Sequence, residues 1–284
     1  MEINKVCVIG AGLMGKQIAL NTAQNGYAVT LTDSSEKALS AAREWAGKYL
    51  SERVEKGKMT DEKVSEIKAR LHFEPDLKKA ARDAQLIVEA IIEDKSIKED
   101  LFRQLNEIIS KDAIVATNSS YMVSSTFKDM IDNPSRLANL HFFNPALVMK
   151  LTEVVQGDHT SDETIELLLD FSRKTGKDPI WVRKEIDGFI VNRILRAVTN
   201  EALYLLENGI ATAPEIDTAA EKGLNYPMGP FRLQDFTGID LAFLAAKKTL
   251  EETGFKKPGY EILEEKYEKG EFGKKSGKGW YDYE

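Results

Sequence analysis

Residues 4–33 read NKVCVIGAGLMGKQIALNTAQNGYAVTLTD. An apolar run, Lys5 to Ile9, is followed at once by Gly10, Gly12 and Gly15 in the spacing GxGxxG. Leu13 to Asn25 has helical periodicity, and a second apolar run, Tyr27 to Thr32, ends on Asp33, 18 residues after Gly15. Few folds accept that order. Gly10 permits a tight turn, Gly12 lets the backbone approach a pyrophosphate, and Gly15 lets the helix pack closely on the strand. The free N–H groups at the helix start, around Leu13 and Met14, offer partial positive charge to phosphates. Asp33 can hold both ribose hydroxyls and repels a 2′-phosphate. No arginine follows it in DSSEKA, so NAD is expected rather than NADP. The competing explanation is a glycine-rich turn without ligand. The strand before, the helix after and the acid at the end of the next strand argue against it.

Strand-like runs continue to alternate with helical ones. Two charged helical stretches fill 35–70, broken near GKMT (57–60). LIVEAI (86–91), AIVAT (113–117) and RLANLHFF (136–143) read as strands, and LTEVVQG and PIWVRKE as two further candidates. This predicts an α/β fold, a doubly wound, mostly parallel sheet. After Asp187-Gly188 the pattern turns helical, so a boundary is expected that divides an NAD-binding domain at 1–186, with its helical excursion at 35–70, from a helical domain at 187–284. The chain's 284 residues suit two cores better than one.

The charge balance narrows the partners. A net charge of −7 argues against a broad nucleic-acid surface. The single cysteine, Cys7, lies in an apolar run and reads as core, and no cysteine–histidine cluster suggests a metal. No apolar run approaches the ~20 residues of a membrane span, and no signal-peptide layout precedes Lys5. A cytoplasmic protein with no membrane partner is expected.

HFFNPALVMKLTEVV (141–155) carries one of three histidines and, twelve residues on, Glu153. A strand, a turn and a second strand with two incidental polar residues is one explanation. A base with its orienting carboxylate is the other. Histidine suits proton transfer near neutral pH, and an acid in the run LTEVV is costly without a partner. If the chain turns back at Asn144-Pro145, each polar residue accounts for the other's burial. His72 and His159 lie in charged surroundings and read as surface residues.

VCVIGAGLMGKQIA, VEAIIEDKSIKEDLF, TNSS, HFFNPALVMKLTEVV, DGFIVNRIL, YPMGPFRLQDFTGID and FGKKSGKGWYDY recur in this order in the L-3-hydroxyacyl-CoA dehydrogenases. The chain resembles that family over nearly its whole length, the bacterial 3-hydroxybutyryl-CoA dehydrogenase type most. The resemblance implies NAD-dependent oxidation of a 3-hydroxyacyl-CoA, or the reverse, and a helical C-terminal domain that binds substrate and forms a homodimer. It implies His141 as base, Glu153 as its partner, and Asn192 and Ser120 near the reacting carbon. A slipped alignment selects Ser119 instead. Asn118, Glu93, Lys98, Asn144 and Lys275 match positions that contact NAD, and Lys56 stands at the distance from Asp33 where a lysine contacts CoA. Two departures bear on the acyl chain. Tyr121 follows Ser120 where the family has a smaller residue, and Ala146-Leu147 replaces Val-Pro. Related dehydrogenases of sugar acids or carnitine, and non-catalytic NAD-binding proteins, share parts of the pattern.

Overall fold

The computed structural model describes residues 2–283. Residues up to Phe189 form one compact unit and residues from Ile190 a second. Strand β1 (Lys5–Ile9), helix α1 (Leu13–Gln24) and strand β2 (Ala28–Thr32) open the first unit. Helices α2 (Glu36–Glu55) and α3 (Asp61–Arg70) follow, capped by the Ser35 and Thr60 side chains. Then come β3 (Leu71–Phe73), α4 (Leu77–Ala81), β4 (Leu86–Glu89), α5 (Lys95–Asn106), β5 (Ile114–Thr117), β6 (Leu137–Phe142), β7 (Leu151–Val155), α6 (Asp162–Lys174) and β8 (Asp178–Val182).

The eight strands form one sheet in the order β3-β2-β1-β4-β5-β6-β7-β8. All neighbours pair parallel except β6 and β7, which are antiparallel. LTEVV and PIWV therefore complete the sheet as β7 and β8. The pattern at 71–73 predicts no strand, yet LHF pairs with β2 as the sheet's edge. Three residues are too few to display an alternation, so pairing rather than local sequence makes this strand. His72 projects from it, exposed as expected.

Buried Val6, Val8, Val29, Leu31, Ile18 and Leu140 belong to a core on one face of the sheet, and Cys7, Ile9, Ile87, Phe102 and Phe127 to a core on the other. Strand order reverses between β1 and β4. The crevice beyond the carboxyl ends of strands at such a reversal is the favoured ligand site of an open α/β sheet.

The second unit comprises α7 (Val191–Glu207), α8 (Ala213–Gly223), α9 (Pro230–Thr237), α10 (Ile239–Thr253) and α11 (Tyr260–Glu268) around Leu203, Phe231, Phe243 and Leu263. Two buried aspartates organise it. Asp217 accepts from the first N–H groups of α9, Phe231 (2.8 Å) and Arg232 (3.0 Å), and from the Tyr281 hydroxyl (2.7 Å). Asp235 accepts from the backbone N–H groups of Trp280 and Tyr281 and from the Tyr283 hydroxyl. The MGPF turn and the aromatic tail are thus fixed by the same two carboxylates. Among the described residues, no helix is long and apolar enough to cross a membrane.

Candidate active site

The glycine motif forms the turn from β1 into α1. Gly10 has φ +104°, and a Cβ there would lie 2.5 Å from the Ala90 carbonyl oxygen at the end of β4. A Cβ on Gly15 would lie 1.7 Å from the Gly10 carbonyl oxygen, so only glycine lets helix and strand approach this closely. Gly12 faces open space, as a phosphate cradle requires. Every other α-helix of this unit, α2 through α6, has a side-chain cap, whereas α1 begins at Gly12 with none and with no acid in its first turn. The N–H groups of Leu13 and Met14 thus open a helix end left to an anion. Asp33, just past β2, accepts from the N–H groups of Ala11 (2.7 Å) and Ser35 (2.8 Å). A carboxylate has about four lone-pair sites, which leaves capacity for ribose hydroxyls. These residues fit a dinucleotide.

The histidine and glutamate meet through strand register. His141 on β6 pairs directly with Glu153 on β7, so both side chains leave the same face of the sheet. His141 Nδ1 lies 2.8 Å from Glu153 Oε2, and Glu153 is fully buried. A carboxylate only accepts, so Nδ1 carries the proton and Nε2 is left as an acceptor. Nε2 lies 2.9 Å from Ser120 Oγ. The imidazole is flanked by Phe143 and Phe189, with ring centroids at 4.6 and 5.5 Å. Phe189 is buried with φ +46°, a left-handed conformation that costs a non-glycine residue about 1–3 kcal/mol. The packing that holds it there also walls the histidine.

Ser119 and Ser120 part company. Ser120 faces His141, while Ser119 Oγ donates to Glu93 and accepts from the N–H of Met122 (2.8 Å). Asn118 accepts the N–H of Phe142 through Oδ1 (2.8 Å), joining the end of β5 to β6 beside the histidine. Glu93 also pairs with Lys98 at 3.1 Å, and Lys98, 1% exposed, reaches Glu89 at 2.6 Å. Glu89 was not singled out in the sequence, although a glutamate inside the apolar run LIVEAI carries the same signal as Glu153 in LTEVV. Tyr121, at the tip of the serine turn, is 59% exposed.

The remaining residues are more scattered. Asn144 is exposed in the turn after β6. Lys56 caps the end of α2, exposed, 3.6 Å from Glu52. In the second unit Asn192 lies in the first turn of α7, and Lys275 pairs with Asp240 at 2.6 Å. His159 departs from the surface expectation. It is half-buried, packed on Gly157 and close to Ser124 and Glu185, and burial holds its pKa below the ordinary histidine value. Charged neighbours in the sequence misled there, because Glu185 is brought in by a distant segment. A cavity of about 670 Å³ between α2 and β3, lined by Arg43, Lys68 and Phe73, contains none of these site residues.

A glycine-rich strand–helix turn with an acid at the end of the next strand, joined in one unit to a buried histidine–carboxylate pair, is the arrangement of a Rossmann-type NAD-dependent oxidoreductase. Residues 5–186 match the family model of the 3-hydroxyacyl-CoA dehydrogenase NAD-binding domain, and residues 188–283 match that of the family's C-terminal domain. The chain belongs to the 3-hydroxyacyl-CoA dehydrogenase family. It is 38% identical to a probable 3-hydroxybutyryl-CoA dehydrogenase of Deinococcus radiodurans, over 98% of this chain and 100% of that one. It is 36% identical to the mitochondrial hydroxyacyl-coenzyme A dehydrogenase of Homo sapiens, over 99% of this chain and 91% of the other. The crystal structure of (S)-3-hydroxybutyryl-CoA dehydrogenase from Ralstonia eutropha superposes with a TM-score of 0.90 at 31% identity, over 100% of both chains.

Proposed function

We propose that this chain oxidises a (3S)-3-hydroxyacyl-CoA, with 3-hydroxybutyryl-CoA as its principal substrate, to the 3-oxoacyl-CoA, and catalyses the reverse reduction. The observation that carries the proposal is the line Ser120–His141–Glu153, with Nε2 left as an acceptor beside a serine hydroxyl. His141 Nε2 takes the proton of the substrate's 3-hydroxyl. Glu153 holds the ring in the required tautomer and stabilises the imidazolium that forms. Ser120 holds the reacting oxygen, and Asn192 helps hold the substrate near the reacting carbon. NAD would supply the acceptor for the hydride that leaves carbon 3. Gly10, Gly12, Leu13, Met14 and Gly15 seat its pyrophosphate and Asp33 its ribose. Glu93, Lys98, Asn118, Asn144 and Lys275 serve its nicotinamide half, and Lys56 offers a cation to CoA.

A homodimer formed by the helical unit is part of the same proposal. Its exposed Ile194, Phe236, Leu241 and Leu244 supply apolar surface for such a contact. A reducing, cytoplasmic setting is proposed on the buried, unpaired thiol of Cys7. The deciding experiment mixes the protein with NADH and acetoacetyl-CoA and follows the NADH absorbance. Consumption of NADH is expected, and a flat trace at high protein concentration would overturn the proposal.

A further inference from the structure

We infer that Glu89 is a positioning residue for the serine turn and, through it, for His141. This rests on the proposed reaction but adds a residue to it. Glu89 ends β4, is fully buried, and has both carboxylate oxygens engaged. Oε1 accepts from Lys98 Nζ (2.6 Å) and from the Ile91 N–H (2.8 Å), while Oε2 accepts from the Thr117 hydroxyl (2.6 Å).

Two relays run from this one group to the same residue. In the first, Thr117 Oγ1 passes its proton side to Glu89 and accepts the Ser119 N–H at 3.1 Å. In the second, Lys98 bridges Glu89 to Glu93, and Glu93 accepts the Ser119 hydroxyl. Ser119 is thus gripped by its backbone through one relay and by its side chain through the other. Its Oγ in turn accepts the N–H groups of Tyr121 and Met122, closing the turn whose middle residue, Ser120, faces His141 Nε2. The clamp needs a group that accepts on every side. A glutamine in place of Glu89 keeps the shape but must turn its NH₂ toward Lys98 and Ile91 or toward Thr117, and so breaks one relay. Buried networks of this kind hold geometry because each member is satisfied.

The test is Glu89→Gln combined with Thr117→Val in a double-mutant cycle, in the full chain. Misplacement of a reacting group is expected to lower kcat about 10- to 100-fold, with KM for acetoacetyl-CoA held within about twofold because truncating a remote anchor leaves the substrate's own contacts intact. The double variant is expected to lose less than the sum of the two single losses, since both relays converge on Ser119. Unchanged kcat, or fully additive losses, would overturn the inference. If Glu89→Gln does not fold, Thr117→Val and Ser119→Ala carry the test, and normal kcat in both rejects it. A second readout is independent of turnover: in ¹⁵N-labelled protein with only three histidines, the His141 Nε2 resonance should move in the folded Glu89→Gln or Thr117→Val variant as the Ser120 hydrogen bond loosens. An unmoved resonance rejects the clamp. Lack of dehydrogenase activity in the unmodified protein, by contrast, rejects the proposed function and leaves the clamp to be judged on that resonance.

Discussion

Replacing Glu153 by glutamine isolates the charge of the carboxylate from its shape. The glutamine carbonyl can still accept the Nδ1–H that lies 2.8 Å from Glu153 Oε2, so ring orientation and tautomer survive. What disappears is the attraction for the positive charge that the ring acquires as it takes the substrate's proton. Charge centres about 4 Å apart attract by about 4 kcal/mol at an effective dielectric of about 20, the value suited to protein sites. If about half a charge has developed in the transition state, about 2 kcal/mol is lost, or about 30-fold in rate. Full burial of Glu153 and the aromatic walls keep water from screening the pair. Steady-state kinetics should therefore give kcat reduced about 30-fold, less than the about 10²–10⁴-fold that proton-transfer groups command in total, and a dissociation constant for NAD unchanged, because Glu153 takes no part in the cradle. A variant with kcat within twofold of the parent would refute the reasoning and return Glu153 to a structural role.

Asp33→Ala should weaken NAD binding about 10- to 100-fold, since hydrogen bonds to charged groups contribute about 1.5–3 kcal/mol, and should narrow the gap to NADP, as KM values for both cofactors will record. Burial pushes the Cys7 thiol up to about 12, so mass spectrometry after iodoacetamide at pH 8 should find it unmodified in the folded protein and alkylated in urea. The depressed pKa of His159 means that the unfolded chain binds its proton first as pH falls. Denaturation midpoints should therefore drop as pH is lowered through about 6.5, and His159→Gln should flatten that slope; an equal slope in both proteins rejects the assignment. Tyr121 stands at the tip of the serine turn, where a buried methylene of a longer acyl chain could otherwise gain about 0.8 kcal/mol. The parent should prefer four-carbon to ten- and sixteen-carbon substrates and Tyr121→Ala should relax that preference, whereas kcat/KM rising steadily with chain length in the parent would show the ring plays no part.

Much of the sheet was legible because buried parallel strands leave continuous apolar runs, as in VCVI, LIVE and IVAT. The strand at 71–73 was not, because its three residues owe their conformation to β2. The glycine motif carried its geometry openly: Gly10 and Gly15 stand where a methyl group would strike backbone. Glu153 was visible as an acid in an apolar run, and the same rule applied to LIVEAI points to Glu89. The pairing with its partner was the hidden part. Lys98 entered only through the family resemblance, as an NAD-contacting position, and its burial against Glu89 comes from the fold. His159 was misjudged for a related reason: its burial depends on Glu185 and Ser124, neither of which is near it in sequence.

The antiparallel pairing of β6 with β7 also has a consequence for how such a chain can diversify. The spacing of histidine and glutamate is stored in strand register, where a slip of one residue would turn the acid to the opposite face. The eight residues between the two strands are released from that duty. Lys177 fastens their base by donating to the carbonyls of Ala146 and Met149, while Val148 and Met149 remain exposed. Substitutions at the exposed Val148 and Met149 can therefore accumulate without disturbing the histidine–glutamate pair, whereas Phe143 flanks the His141 ring; Ala146-Leu147 in place of Val-Pro falls in the same loop. A hairpin of this kind can exchange its exposed loop residues, in evolution or by engineering, while the paired strands keep the histidine and glutamate together.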